Sequence, residues 1–272
     1  MKYLYTAFTA ALLLPAFLIS SCSDHTAEEV SIETTQATIP VEAMEKFQNA
    51  GFCTGEIARR GEDYLLEGDI VVTPEALAEM ESPVSITGPA GEEQYRACNL
   101  LFCYRQVVRV IKVKSSGLNR ILSTGLDWAL ANYNSLNLSL EFQRVSEGPA
   151  DITVYATSGN GGLSGFPSSG NPYPSVYIGT GVAAYGTNVA EHVIGHEVGH
   201  AIGMRHTDYF DRSLSCGSGG DEGGCAVHIP GTTTYYDEYS QFKACFTTSE
   251  TGEFSYHDII ALKLSIKYTG VR

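Results

Sequence analysis

Residues 196–206 read HEVGHAIGMRH, and no other stretch restricts the fold of this chain as tightly. His196 and His200 are four residues apart, so on an α-helix their imidazoles leave the same side and can close on one Zn²⁺. Glu197 lies about 100° further round, beside such an ion, where a carboxylate can take a proton from a bound water. Gly203 can end the helix with a positive φ, and the reversed chain can then bring in His206 as a third ligand. Three protein ligands leave one position open for water or substrate. That distinguishes a catalytic zinc centre from a closed structural one.

The surroundings of the motif support a helix. Asn188 with Glu191 three residues later forms a candidate capping box. On the helical wheel Ala190, Ile194, Val198 and Ala201 fall opposite the histidines, so one side is expected in a core and the other in a cleft. Gly195 and Gly199 each weaken a helix by about 1 kcal/mol relative to Ala, which points to close approach of another segment.

The longer stretch IGHEVGHAIGMRHTD (194–208) resembles the metzincin clan of zinc peptidases, and within it the bacterial secreted family of dual-action HEIGH metallopeptidases. YYDEYSQFKACF (235–246) and FSYHDIIALKLSIKY (254–268) resemble the C-terminal part of that family, and YLLEGDIVV (64–72) its upstream part. The resemblance implies an α+β fold: a metzincin-like catalytic domain with a twisted, partly antiparallel sheet, an active-site helix carrying the zinc motif, and a small irregular C-terminal subdomain. It also implies one Zn²⁺ per chain on His196, His200 and His206, with Glu197 as general base.

Metzincins place a methionine beneath the zinc, after the third histidine. Here the methionines are Met1, Met44, Met80 and Met204. By alignment of SQFKAC, Phe242 takes that place as an apolar floor. Asp208 follows the third ligand as family-specific residues do, and can hold a ligand imidazole or the returning chain; a plain surface aspartate is the competing reading. In metzincins the strand before the zinc helix is a sheet edge bordering the cleft, expected here near Val176 to Ile178. Such an edge can accept an extended peptide as an added strand.

At the N-terminus Lys2 precedes the apolar run AFTAALLLPAFLI (7–19), too short to span a bilayer in a mature helix. Ile-Ser-Ser-Cys then resembles a bacterial lipobox, with Cys22 as the acylated residue; an ordinary signal peptide cut nearby is the alternative. By the same resemblance Ser23 favours outer-membrane sorting. The expected organisation is a signal peptide (1–21), a Ser/Thr/Glu-rich flexible tether (22–40), an N-terminal subdomain or prosegment (41–104) and the zinc domain (105–272). Within 41–104 the pattern predicts a helix over VEAMEKFQNA stopped at Gly51, a strand over 64–72, and a short helix opened by Thr73 and Pro74. Beyond it RQVVRVIKVK, LSLEFQRV, ADITVYAT and SVYIG read as strands, LNRILSTGLDWALANYNSL as a helix, and SGNGGLSGFPSSGNPYP as a loop.

With 17 basic against 31 acidic residues the net charge is −14, which repels nucleic acid and anionic membrane surfaces. Besides Cys22 there are Cys53, Cys98, Cys103, Cys216, Cys225 and Cys245; an even number in an oxidising compartment suggests bridges. Cys216 with Cys245 is the preferred pair, because it ties the loop after His206 to the segment holding Phe242. Cys53 could instead mask the zinc as a thiolate in a latent form. His192 is one turn before His196, but three successive turns cannot all reach one ion, so it belongs to the surroundings or to solvent. His228 and His257 read as structural. Tyr235, Tyr236 and Tyr239 are candidates to donate to an oxyanion, and spacing selects none of them. The sequence thus points to a lipid-anchored zinc endopeptidase acting on peptide or protein. The alternatives are an inactive surface binding or adhesion protein, for which Phe242 is the main support, and a zinc amidase of cell-wall peptides.

Overall fold

The computed structural model describes residues 38–49, 57–80, 95–96, 108–220, 227–233 and 235–266. The signal peptide, Cys22, most of the tether, Gly51, Cys53, Cys98, Cys103 and Cys225 lie outside these residues. In chain order the elements are α1 (Val41–Asn49), β1 (Ala58–Arg60), β2 (Asp63–Leu66), β3 (Ile70–Val72), α2 (Pro74–Glu79), β4 (Tyr95–Arg96), β5 (Arg109–Ser116), α3 (Arg120–Ser135), β6 (Leu140–Arg144), β7 (Ile152–Thr157), β8 (Gly162–Gly165), β9 (Ser175–Gly179), α4 (Thr187–Ala201), α5 (Ser213–Cys216), β10 (Val227–His228) and α6 (Tyr256–Ser265).

Eight of the described strands make one sheet in the order β1-β2-β3-β8-β9-β7-β5-β6. The pairs β5/β6, β5/β7 and β7/β9 are parallel, while β8 runs antiparallel to β9. The α+β class and the partly antiparallel sheet are as expected. One face of the sheet is apolar because alternate residues point the same way: Ile111 and Val113 of β5, Ile152 and Val154 of β7, and Val176 and Ile178 of β9 are buried. Against them lies α3, which opens where the Asn119 side chain accepts from Leu122 N at 3.0 Å and buries Leu122, Leu126, Ala129, Leu130 and Tyr133 along one stripe. Burial of each such leucine contributes about 1.5–3 kcal/mol.

Residues Val189 to Ala201 of α4 are all buried, with Ala190, Ile194, Val198 and Ala201 in the core and His196 and Glu197 bordering a cavity. One side packs on α3 and the sheet; the other is covered by Gln241 and Phe242, whose side chains sit where Gly195 and Gly199 leave room. A Cβ on Gly195 would come within 2.5 Å of Gln241 Nε2, and one on Gly199 within 2.1 Å of Phe242 Cε1. The close approach expected from these two glycines is therefore present. The capping box is not. α4 continues from a 3₁₀ turn (Thr180–Tyr185) through Gly186, Asn188 is already inside the helix, and the Glu191 side chain accepts instead from Asn132 Nδ2 at 2.8 Å.

Two further expectations change. Val176–Ile178 is not an edge: β9 is flanked by β7 and β8, and β8 comes from the stretch read as a loop. The strand expected over 64–72 is two antiparallel strands, because Glu67 and Gly68 both take positive φ (57° and 92°) and turn the chain. The region from Ala58 to Val72 extends the same sheet, β3 pairing in parallel with β8. Its own apolar cluster gathers Phe47, Tyr64, Leu66, Ile70, Val72 and Leu77 with Phe166. No helix among the described residues is long and apolar enough to cross a membrane.

Candidate metal centre

Helix α4 ends where Gly203 takes φ 108°, with Gly203 N bonded to His200 O and Met204 N to Gly199 O, each at 2.9 Å. A Cβ is strained there, so glycine is what lets the chain reverse after His200. The returning chain buries His206 completely and places its ring 5.2 Å from that of His196 and 4.9 Å from that of His200.

The outer nitrogens fix the ring orientations. His196 Nδ1 donates to the Gln241 carbonyl (2.9 Å) and His200 Nδ1 to the Met204 carbonyl (2.8 Å). Each Nε2 is thereby left as a lone pair, and the two lone pairs meet at 2.8 Å. His206 Nδ1 faces Glu67 Oε2 at 3.5 Å, and Glu67 in turn pairs with the buried Arg205. Burial holds His200 well below the usual histidine range, with the neighbouring His196 adding to it, which keeps that imidazole neutral and able to bind metal.

A carboxylate that the sequence reading passed over completes the group. Asp69, in the turn between β2 and β3, sets Oδ2 at 3.1 Å from His206 Nε2 and 3.7 Å from His196 Nε2. One ligand atom from each of Asp69, His196, His200 and His206 lies within 4.8 Å of every other. A tetrahedral ion with bonds of about 2.0–2.1 Å has ligand–ligand edges of about 3.3–3.4 Å. The separations of 2.8, 3.1 and 3.7 Å bracket that value, so the donor set fits a zinc-sized ion. Burial works against an ionised Asp69, but the surrounding histidines, His206 foremost, outweigh it and hold the carboxyl below its ordinary range.

Glu197 points to the same place from α4. It is buried, its Oε2 lacks a hydrogen-bond partner, and a Cβ on Gly162 of β8 would come within 2.3 Å of its Oε1. Burial, and then the charge of Asp69, push its carboxyl well above the usual range. A small cavity of about 70 Å³ is bordered by Asp69, His196, Glu197, Gly162, Lys243 and Phe246.

The support lies in the C-terminal segment. Phe242 is fully buried, with its ring 6.4 Å from that of His196, and its carbonyl accepts from Thr207 N at 2.8 Å. Asp208 is buried rather than a surface residue: it accepts from Ala244 N at 2.8 Å and from Ser215 Oγ, so it ties the returning chain to α5 and to the segment after Phe242. The Cys216–Cys245 disulfide joins the same two segments. Asp258, at the start of α6, accepts from Ser240 Oγ and Gln241 N, both at 2.7 Å, and steadies the strand of chain beneath the histidines.

The remaining candidates fall outside the group. His192 is buried, faces Glu250 at 3.8 Å, and is driven down to about 3 chiefly by burial. His228 Nε2 lies 3.2 Å from Thr232 Oγ1, and His257 Nδ1 accepts from Thr233 N at 3.0 Å, both structural contacts. Tyr235 and Tyr239 are exposed, and Tyr236 is half-buried. Asp69 carried a signal in the sequence, a Glu-Gly-Asp turn between two apolar strands, but nothing local connects residue 69 with residue 206.

Two imidazoles of α4 and a third from the returning chain converge, with the buried Glu197 beside them on α4, a donor set that suits a zinc ion. The family model described as dual-action HEIGH metallo-peptidase matches residues 64–265, and the chain belongs to that family of metallopeptidases. Among solved structures the chain is similar to myroilysin, with 16% identity and a TM-score of 0.39 over 59% of this chain and 93% of that one. A second myroilysin structure gives 17% identity and 0.39 over 58% and 82%. High choriolytic enzyme 1, a hatching enzyme zinc-protease from Oryzias latipes (Medaka fish), gives 18% identity and 0.28 over 40% and 52%. No curated protein matches the chain.

Proposed function

We propose that this metallopeptidase is a lipid-anchored, extracytoplasmic endopeptidase that binds one Zn²⁺ on His196, His200 and His206 and uses Glu197 as general base. The observation that carries the reading is the pairing of outward Nδ1 hydrogen bonds to carbonyls with inward Nε2 lone pairs, alongside a carboxylate oxygen that lacks a partner. A zinc ion held there supplies Lewis acidity and a water of pKa about 7. Glu197 Oε2 takes the proton of the attacking water and passes it to the leaving amine. The Gln241 and Met204 carbonyls keep the imidazoles from swinging, and Phe242 excludes water from below.

Metal analysis tests the ligand set. The purified chain is expected to hold one Zn²⁺, and His206→Ala to lose it at chelator concentrations the wild type resists. Stoichiometric zinc in that variant would remove His206 from the set.

The anchor rests on the Ile-Ser-Ser-Cys stretch ending at Cys22 and on the short apolar run before it. Several acyl chains on one cysteine anchor stably where one is marginal, and a tether of about twenty residues reaches roughly 25 Å. Cys22→Ala is expected to abolish fatty-acid labelling and move the protein from washed membranes to the soluble fraction. Labelled, membrane-bound Cys22→Ala would contradict the assignment.

A further inference from the structure

We propose that Asp69 is a fourth metal ligand and that the β2–β3 hairpin sits in the place of substrate, so that the chain with this hairpin in position is a latent form. The inference deepens the peptidase reading above and rests on it. Its basis is a coincidence of two independent contacts made by one short stretch of chain.

The first contact is at the metal. Asp69 Oδ2 lies 3.1 Å from His206 Nε2 and 3.7 Å from His196 Nε2, where it would serve as a fourth ligand to an ion held by the three histidines. A carboxylate there takes the position that water or a substrate carbonyl needs. The turn that presents it is held from behind, because Glu67 pairs with the buried Arg205 and faces His206 Nδ1. Positive φ at Glu67 and Gly68 aims both carboxylates inward from a single turn.

The second contact is at the sheet. Without β1 to β3, the strand β8 would be the edge of the sheet, and it lies against Glu197 through Gly162. An open edge beside the general base is where an extended peptide can add by main-chain hydrogen bonds. Here the chain's own strand fills it: Ser164 N donates to Asp69 O at 2.9 Å and Phe166 N to Val71 O at 3.3 Å. The fit is close enough that a Cβ on Gly165 would come within 2.4 Å of Val71 O. The cavity left beside Glu197 is bordered by Glu67, Gly68 and Asp69, so the hairpin forms one of its walls. Activation therefore requires that the hairpin withdraw, with the Asp69 carboxylate leaving the metal as water enters. This assigns the covering role to Asp69.

The test uses the full chain loaded with Zn²⁺ or Co²⁺, and acetohydroxamate as a small probe of the open metal position. Wild type should bind one metal and bind acetohydroxamate weakly. Asp69→Ala and Asp69→Asn should keep the metal on three histidines, show an altered cobalt visible spectrum, and bind acetohydroxamate at least tenfold more tightly. Circular dichroism establishes that the variants are folded; Asp69→Asn keeps the side-chain shape should the alanine variant fail to fold. Metal-loaded variants with wild-type spectra and wild-type probe affinity would overturn the fourth-ligand assignment while leaving the three-histidine centre intact. Wild type and variants that all fail to hold metal would instead overturn the zinc reading itself. A cobalt–thiolate charge-transfer band lost in Cys53→Ser would give the position to Cys53.

Discussion

Glu197→Gln is expected to retain metal and fold yet cleave peptides roughly 10²- to 10⁴-fold more slowly. The amide keeps the size of the carboxylate, so the contact with Gly162 is undisturbed and the three imidazoles still converge. It cannot accept a proton from water, and among the described residues Asp69 is the one carboxylate grouped with the three histidines. The comparison is best made in the Asp69→Ala background, where the metal position is open in both forms. Undiminished cleavage by Glu197→Gln, with zinc content equal to the parent, would exclude Glu197 as the base. A metal-loaded Asp69→Ala protein that cleaves no member of a broad peptide library would favour the inactive binding-protein reading.

Phe242→Ala is expected to lower stability by about 3–5 kcal/mol and to weaken zinc binding, while Phe242→Met costs about 1.5 kcal/mol or less. Phe242 is fully buried against Gly199 on the underside of α4. Removing the ring leaves a cavity under the helix that carries two ligands, and the chain on either side loses its register. Gln241 O orients His196 from one side of that ring, and Phe242 O anchors Thr207, next to His206, through the same residue. Both ligands should loosen together, which a core substitution far from the metal would not cause. The informative measurements are melting temperature and competitive zinc affinity for the three proteins. A Phe242→Ala variant that melts lower but holds zinc as tightly as wild type would reduce Phe242 to ordinary core.

What local sequence determined is what depends on contacts a few residues apart. The i, i+4 histidines, the stop at Gly203 and the return of His206 follow from helix geometry and from the one residue that adopts positive φ without strain. The alternation in β5 and the apolar stripe of α3 follow from strand and helix periods, and both elements are where those periods put them. The two glycines of α4 betrayed a close neighbour, and the cysteine count allowed the Cys216–Cys245 pair to be chosen for tying two loops together.

Tertiary structure alone decided which distant groups meet. Periodicity shows that 175–179 is a strand but not which strands flank it, since parallel pairing is set by crossovers far along the chain; hence β9 is interior and β8, read as loop, pairs with β3. Glu191 could cap its helix locally, yet the burial of α4 on both sides placed it against Asn132 instead. Asp69 reaches His206 across 137 positions, and no periodicity extends that far. The helix that carries His196 and His200 was thus a local property, whereas the Asp69 carboxylate beside them comes from a hairpin that only the sheet brings there.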